Sequence, residues 1–111
     1  MTVLSNGKAE LTLAIRDSFA QNNSFVHGGV ISYLADNCIT LAVASIIGVC
    51  VTAEYKINYV RPAICEILPA KSKIISSGQR QAVCECRIYV ISDGNQRLVA
   101  VAHGTIVKAE K

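Results

Sequence analysis

The stretch Gly28-Gly29-Val30-Ile31-Ser32-Tyr33-Leu34-Ala35-Asp36-Asn37-Cys38-Ile39-Thr40-Leu41-Ala42-Val43-Ala44-Ser45-Ile46-Ile47 decides the fold. It is the most apolar run in the chain, and Gly48 follows it where a helix C-terminal cap would sit. Its length is near the ~20 residues that a bilayer span requires. Asp36 and Asn37 fall near its middle, where lipid makes them costly, and no basic flank or second span supports insertion. A helix apolar on nearly all sides, in a soluble protein, is expected to be a buried central helix.

Outward from this run the period changes to two. Upstream, Glu10 to Arg16 places Leu11, Leu13 and Ile15 on one face of a half-buried strand, and polar Gln21-Asn22-Asn23-Ser24 makes a loop. Downstream, Val51 to Val60 puts Ala53, Tyr55, Ile57 and Tyr59 on one face, with Thr52, Glu54, Lys56 and Asn58 on the other. Arg61-Pro62-Ala63 ends that strand. Lys71 to Ser77 reads as a third strand turning at Ser77-Gly78, and Gln81 to Ser92 as a fourth. Asp93-Gly94 then makes a hairpin into Arg97 to Lys108, where Leu98, Ala100, Ala102 and Ile106 oppose Val99, Val101, His103 and Val107. The fold class so predicted is α+β: an antiparallel sheet of about five strands wrapped around one long central helix, as one domain over residues 1–111.

Composition narrows the function classes. The chain has 111 residues, 51% hydrophobic and only 17% charged, which excludes disorder and favours a homo-oligomer that buries part of the apolar excess. Eleven Lys and Arg against eight Asp and Glu give a net charge of +3, scattered singly among few aromatics. That is no footprint for nucleic acid, and suits a small phosphorylated ligand better. The five cysteines, Cys38, Cys50, Cys65, Cys84 and Cys86, follow neither a secretory signal nor a Cys-x-x-Cys spacing. They read as reduced cytoplasmic thiols used as small hydrophobes, with no metal site.

Chemistry concentrates where the loop meets the helix. A Gly28-Gly29 pair at a helix start exposes backbone N–H groups at its positive end with no side chain to block approach. Such a site can hold a carbonyl oxygen that becomes an oxyanion during acyl transfer, although the same glycines could serve packing alone. Asp36 is the outlier in a nearly uncharged helix, and a carboxylate there is costly unless it is paired or functional. Eight residues of helix span about 12 Å, too far for Gly28 and Asp36 of one chain to reach the same carbon. Two antiparallel helices about a two-fold axis would set one chain's Gly28 opposite the other's Asp36. A homodimer with two composite sites is therefore expected, alone or as a dimer of dimers.

Gln21, His27-Gly28-Gly29, Asp36, Thr40 and the segment Thr52 to Ala63, with Ser77-Gly78-Gln79-Arg80 and Asp93-Gly94, resemble the hotdog-fold acyl-CoA thioesterases of the phenylacetate-pathway (PaaI-like) type. The resemblance covers about 100 residues. It implies a hotdog fold and an acyl-CoA thioesterase that releases free acid and coenzyme A. It gives Asp36 the role of nucleophile or general base, and gives the Gly28 amide that of polarising the thioester carbonyl. Gln21 would position thioester or water, with Asn22 and Asn23 as competitors. Thr52 would assist from the other subunit, unless it is an ordinary strand threonine, and Thr40 would orient water. His27, with Gly29, would line the substrate loop. Arg61 and Arg80 could pair with the phosphates of coenzyme A, which belongs to the substrate and is not a separate cofactor. His103 is expected to be a packed or rim residue. Many relatives carry a further N-terminal helix, for which this chain lacks the length, and a more open acyl pocket follows. A non-catalytic acyl-CoA-binding protein and an acyl-thioester dehydratase or hydratase are the competing functions on the same fold.

Overall fold

Helix α1 runs Gly28–Ile47, the bounds its composition predicts. The computed structural model describes residues 2–5, 7–14, 28–61, 67–92 and 94–109. The polar loop with Gln21 and His27, Ile15 and Arg16, Pro62-Ala63, Cys65 and Asp93 lie outside the described residues. Gly48 closes the helix as expected, with φ 83° and its N–H bonded to the Ala44 carbonyl at 3.1 Å. Only glycine adopts that left-handed conformation without penalty.

Six strands surround the helix: β1 Thr2–Ser5, β2 Lys8–Ala14, β3 Cys50–Tyr59, β4 Ile67–Ser77, β5 Gln81–Ser92 and β6 Asn95–Lys108. They form one antiparallel sheet in the order β1-β2-β4-β5-β6-β3, so the predicted five are joined by the short strand β1. Strand β4 begins four residues before the predicted Lys71, because Pro69 is tolerated inside it. Thr12 of β2 faces Pro69, but pairing with β5 runs from Ile67 to Ala70 with no partner between. The missing proline N–H falls in that gap.

One face of α1, formed by Ile31, Leu34, Ala35, Cys38, Ile39, Ala42 and Val43, is buried against Leu68, Ala70, Cys84, Cys86, Ile88 and Ile106 of the sheet. Cys84 and Cys86 share that inward face, as small hydrophobes should. Burial pushes the Cys84 thiol up to about 12. The Ser72 hydroxyl, also buried, donates to the Cys38 carbonyl at 2.7 Å and lies 3.2 Å from the Cys38 thiol. The expectation of burial on nearly all sides is corrected. Tyr33 is 73% exposed and Ile46 49%, so the helix has a second face that the sheet does not reach.

Two bulges correct the predicted faces. Thr52 pairs with Ile106 and Glu54 with Thr105, leaving Ala53 as an extra residue in β3. An extra residue reverses the alternation. Thr52 therefore shares the helix-facing side with Tyr55, while Glu54 turns outward and accepts from the Thr105 hydroxyl at 3.3 Å. In β6, Ala100 pairs with Ile88 and Leu98 with Tyr89, so Val99 is the extra residue and Leu98 leaves the inward set. The Val99 carbonyl instead accepts the N–H of Val60 at 2.7 Å, closing the end of β3.

Candidate active site

Asp36 sits half-buried in the third turn of α1, on the side turned toward β3. Its Oδ1 accepts a hydrogen bond from Thr52 Oγ1 at 2.9 Å. The bulge at Ala53 makes this contact possible, because without the extra residue Thr52 would point away from the helix. The pairing relieves part of the cost of a carboxylate on an apolar helix and leaves its other oxygen available. Thr40 is one turn further along, but its hydroxyl donates to the Asp36 carbonyl at 2.8 Å. That bond places the Thr40 Oγ1 beside the acid and uses its proton on the backbone.

Gly28 is the first residue of the helix, and its N–H has no helical acceptor. A Cβ built on it would meet Tyr59 Cζ at 3.6 Å. The Tyr59 hydroxyl donates to the Gly28 carbonyl at 3.0 Å. Gly29 follows, exposed, on the bare side of the helix. Arg61 is exposed, two residues beyond Tyr59 and so at the Gly28 end of β3. Arg80 is exposed near the other end: its carbonyl accepts from Lys108, whose strand partner is Cys50. One chain therefore brings Asp36, Thr52 and Thr40 together at one place and Gly28 with Arg61 at another. His103 is exposed on the outer face, opposite Lys56 and Glu85.

Sequence reasoning placed Tyr55 and Tyr59 among apolar inward residues. The structure adds that their hydroxyls reach the helix backbone, since the Tyr55 hydroxyl also donates to the Ser32 carbonyl at 3.2 Å. The available signal was the phenol itself, which seeks a partner when it faces an interior. A separate groove of about 260 Å³ lies across the outer face, lined by Lys8, Glu10, Lys71, Lys73, Glu85 and Arg87. It holds both signs of charge and an Arg87–Glu85 pair at 3.4 Å, on the side of the sheet away from Asp36.

Comparison with known proteins bears on the family and the fold. The sequence pattern of the thioesterase superfamily matches residues 23–96. A Saccharolobus solfataricus protein named "Putative esterase" is 32% identical over 106 residues, covering 94% of this chain and 69% of its own length. A thioesterase family protein from Silicibacter pomeroyi superposes with a TM-score of 0.92 at 25% identity, over 95% of this chain and 79% of that one. The PaaI protein of the E. coli phenylacetic acid degradation operon gives 0.85 at 23% identity, over 95% and 75% of the two chains. A hypothetical thioesterase of Streptococcus pneumoniae, solved with coenzyme A, gives 0.86 at 23%, over 98% and 84%. The central helix wrapped in an antiparallel sheet is the hotdog fold, and this chain belongs to the thioesterase superfamily.

Proposed function

We propose that this protein is an acyl-CoA thioesterase that hydrolyses an acyl- or aryl-CoA ester at composite sites in a homodimer. The observation that carries the proposal is the half-buried Asp36 carboxylate, held by Thr52 at 2.9 Å on the side of the helix turned toward β3, with its second oxygen available. Water attacks the thioester carbonyl and the Asp36 carboxylate takes its proton. Alternatively the carboxylate attacks first and water hydrolyses the anhydride. In either course the carbonyl oxygen gains charge beside the Gly28 amide, and the thiolate of coenzyme A leaves. The reaction so assigned draws coenzyme A from the substrate and calls on no metal.

The partner subunit is required by distance. Gly28 and Asp36 stand about 12 Å apart along one helix, whereas an antiparallel second helix brings one opposite the other. Two features support such a partner. Strand β3 is the last in the sheet order, a ten-residue edge with Val51, Tyr59 and Val60 exposed, and a long bare edge invites pairing. The exposed helix face with Tyr33 gives the partner a second surface to cover. Coenzyme A as the handle is supported by the S. pneumoniae relative solved with that ligand. Arg61, at the Gly28 end of β3, is the cation assigned to its phosphates, with Arg80 as the second. Nothing in this reaction calls for nucleic acid or membrane, and a cytoplasmic enzyme fits the free thiols Cys38, Cys50, Cys84 and Cys86.

A panel of short-chain, long-chain and aromatic acyl-CoA esters tests the proposal, with free thiol corrected for the protein's own cysteines. Wild-type protein should turn over at least one class, and Asp36→Asn should lower kcat by about two orders of magnitude or more while the fold is kept. Tight binding of every ester without turnover would make the protein a binder. Wild-type turnover by Asp36→Asn would remove the acid from the mechanism.

A further inference from the structure

Three hydroxyls on β3 meet α1 at every fourth helical residue. Tyr59 donates to the Gly28 carbonyl at 3.0 Å, Tyr55 to the Ser32 carbonyl at 3.2 Å, and Thr52 to the Asp36 carboxylate at 2.9 Å. The Ser32 hydroxyl lies 3.3 Å from the Tyr55 oxygen, reinforcing the middle rung. The ladder spans the two parts that one chain gives to the composite sites, because its first rung is the helix-start glycine and its last is the acid.

The first rung has no structural necessity. Within one chain Tyr59 is 51% exposed, so the burial of that chain alone does not force its hydroxyl onto Gly28. The Gly28 carbonyl, for its part, is already the helical acceptor for the Ser32 N–H. What the rung opposes is fraying. A helix that opens on two glycines gives up about 1 kcal/mol at each relative to alanine, and the same freedom loosens the first turn. A group that polarises a carbonyl works only if its direction is fixed before the reaction. The Tyr59 ring lies 3.6 Å from the space a Gly28 side chain would fill, so ring and hydroxyl together hold that residue.

We infer that Tyr59 is a positioning residue that pins Gly28 and so aims its N–H at the thioester carbonyl. The inference rests on the proposed role of Gly28 and goes beyond it. Tyr59→Phe keeps the ring and removes the hydroxyl. Two readouts apply to the intact protein: amide hydrogen exchange at Ser32 by NMR, and steady-state kinetics on the best acyl-CoA ester. Exchange at Ser32 should quicken several-fold, and kcat should fall about tenfold with KM within twofold, since the aim matters most in the transition state. Tyr55→Phe removes only the middle rung and should leave kcat within about threefold. Unchanged exchange at Ser32, unchanged kcat, or an equal kcat loss in Tyr55→Phe would overturn the inference. The role of Gly28 fails separately: if Gly28→Pro, which removes the N–H where a helix start tolerates proline, hydrolyses at the wild-type rate, that role is overturned, whereas the pin is still read at Ser32.

Discussion

At the scale of single residues, the proposed hydrolysis depends on which side chain reaches Asp36. The acid and the helix-start glycines were legible in the sequence, because a lone carboxylate in an apolar helix and a Gly-Gly at its start are both costly to keep. Thr52 was not legible from alternation, which set it on the face away from Tyr55 and Tyr59. The reason is one extra residue, Ala53, and nothing in Thr-Ala-Glu announces a bulge. Only the family resemblance pointed to Thr52. Its bond to Asp36 has a measurable consequence. Thr52→Val keeps the shape and removes the hydroxyl, and kcat should fall roughly five- to tenfold, the worth of a hydrogen bond of about 1–1.5 kcal/mol. Steady-state rates decide it, and a Thr52→Val enzyme indistinguishable from wild type would show that the contact does not serve the reaction.

At the scale of elements, α1 is the part the sequence specifies most fully. Gly28 and Gly48 bound it on both sides, and a run of 20 residues has the length of a helix and not of a strand. Strand β4 starts at Ile67, ahead of the Lys71 that alternation indicates, and only the sheet reveals that β5 leaves the position of Pro69 unpaired. The contact between α1 and the sheet carries its own pH signature. Burial raises the Cys84 thiol from its ordinary value of 9.0 to about 12, and the side-chain contact with Cys38, followed by burial, raises Cys86 as well. Below pH 9 these thiols are protonated whether the chain is folded or not. Between about 9 and 12 the unfolded chain loses those protons while the folded one keeps them, so stability falls as pH rises. Thermal unfolding followed by circular dichroism should show Tm dropping across that interval, with a shallower drop in Cys84→Ala. Equal slopes in the two proteins would mean the thiol titrates alike in both states.

At the scale of the whole molecule, the sequence indicated an apolar excess but not where it would lie. The structure locates it on the β3 edge, with Val51, Tyr59 and Val60, and on the helix face with Tyr33. Periodicity could not separate these from the core, because the helix is apolar on more sides than the sheet covers. The assigned coenzyme A handle is tested at this scale too. Arg61→Ala should raise KM a few-fold with kcat little changed, and added salt should act alike, since exposed charges are screened over about 8 Å at physiological ionic strength. A truncated thioester without the nucleotide, hydrolysed as efficiently as the coenzyme A ester, would contradict that handle.

Subunit exchange asks whether one reacting carbon is shared between Gly28 of one subunit and Asp36 of another. Asp36→Asn and Gly28→Pro proteins, each first checked to be inactive alone, are mixed, exchange is verified by mass spectrometry of the native assembly, and acyl-CoA hydrolysis is measured. A mixed dimer holds one site with both lesions and one with neither, so activity should return, up to about half of wild-type turnover per mixed dimer. Complete inactivity after verified exchange would contradict the account and confine each site to a single chain.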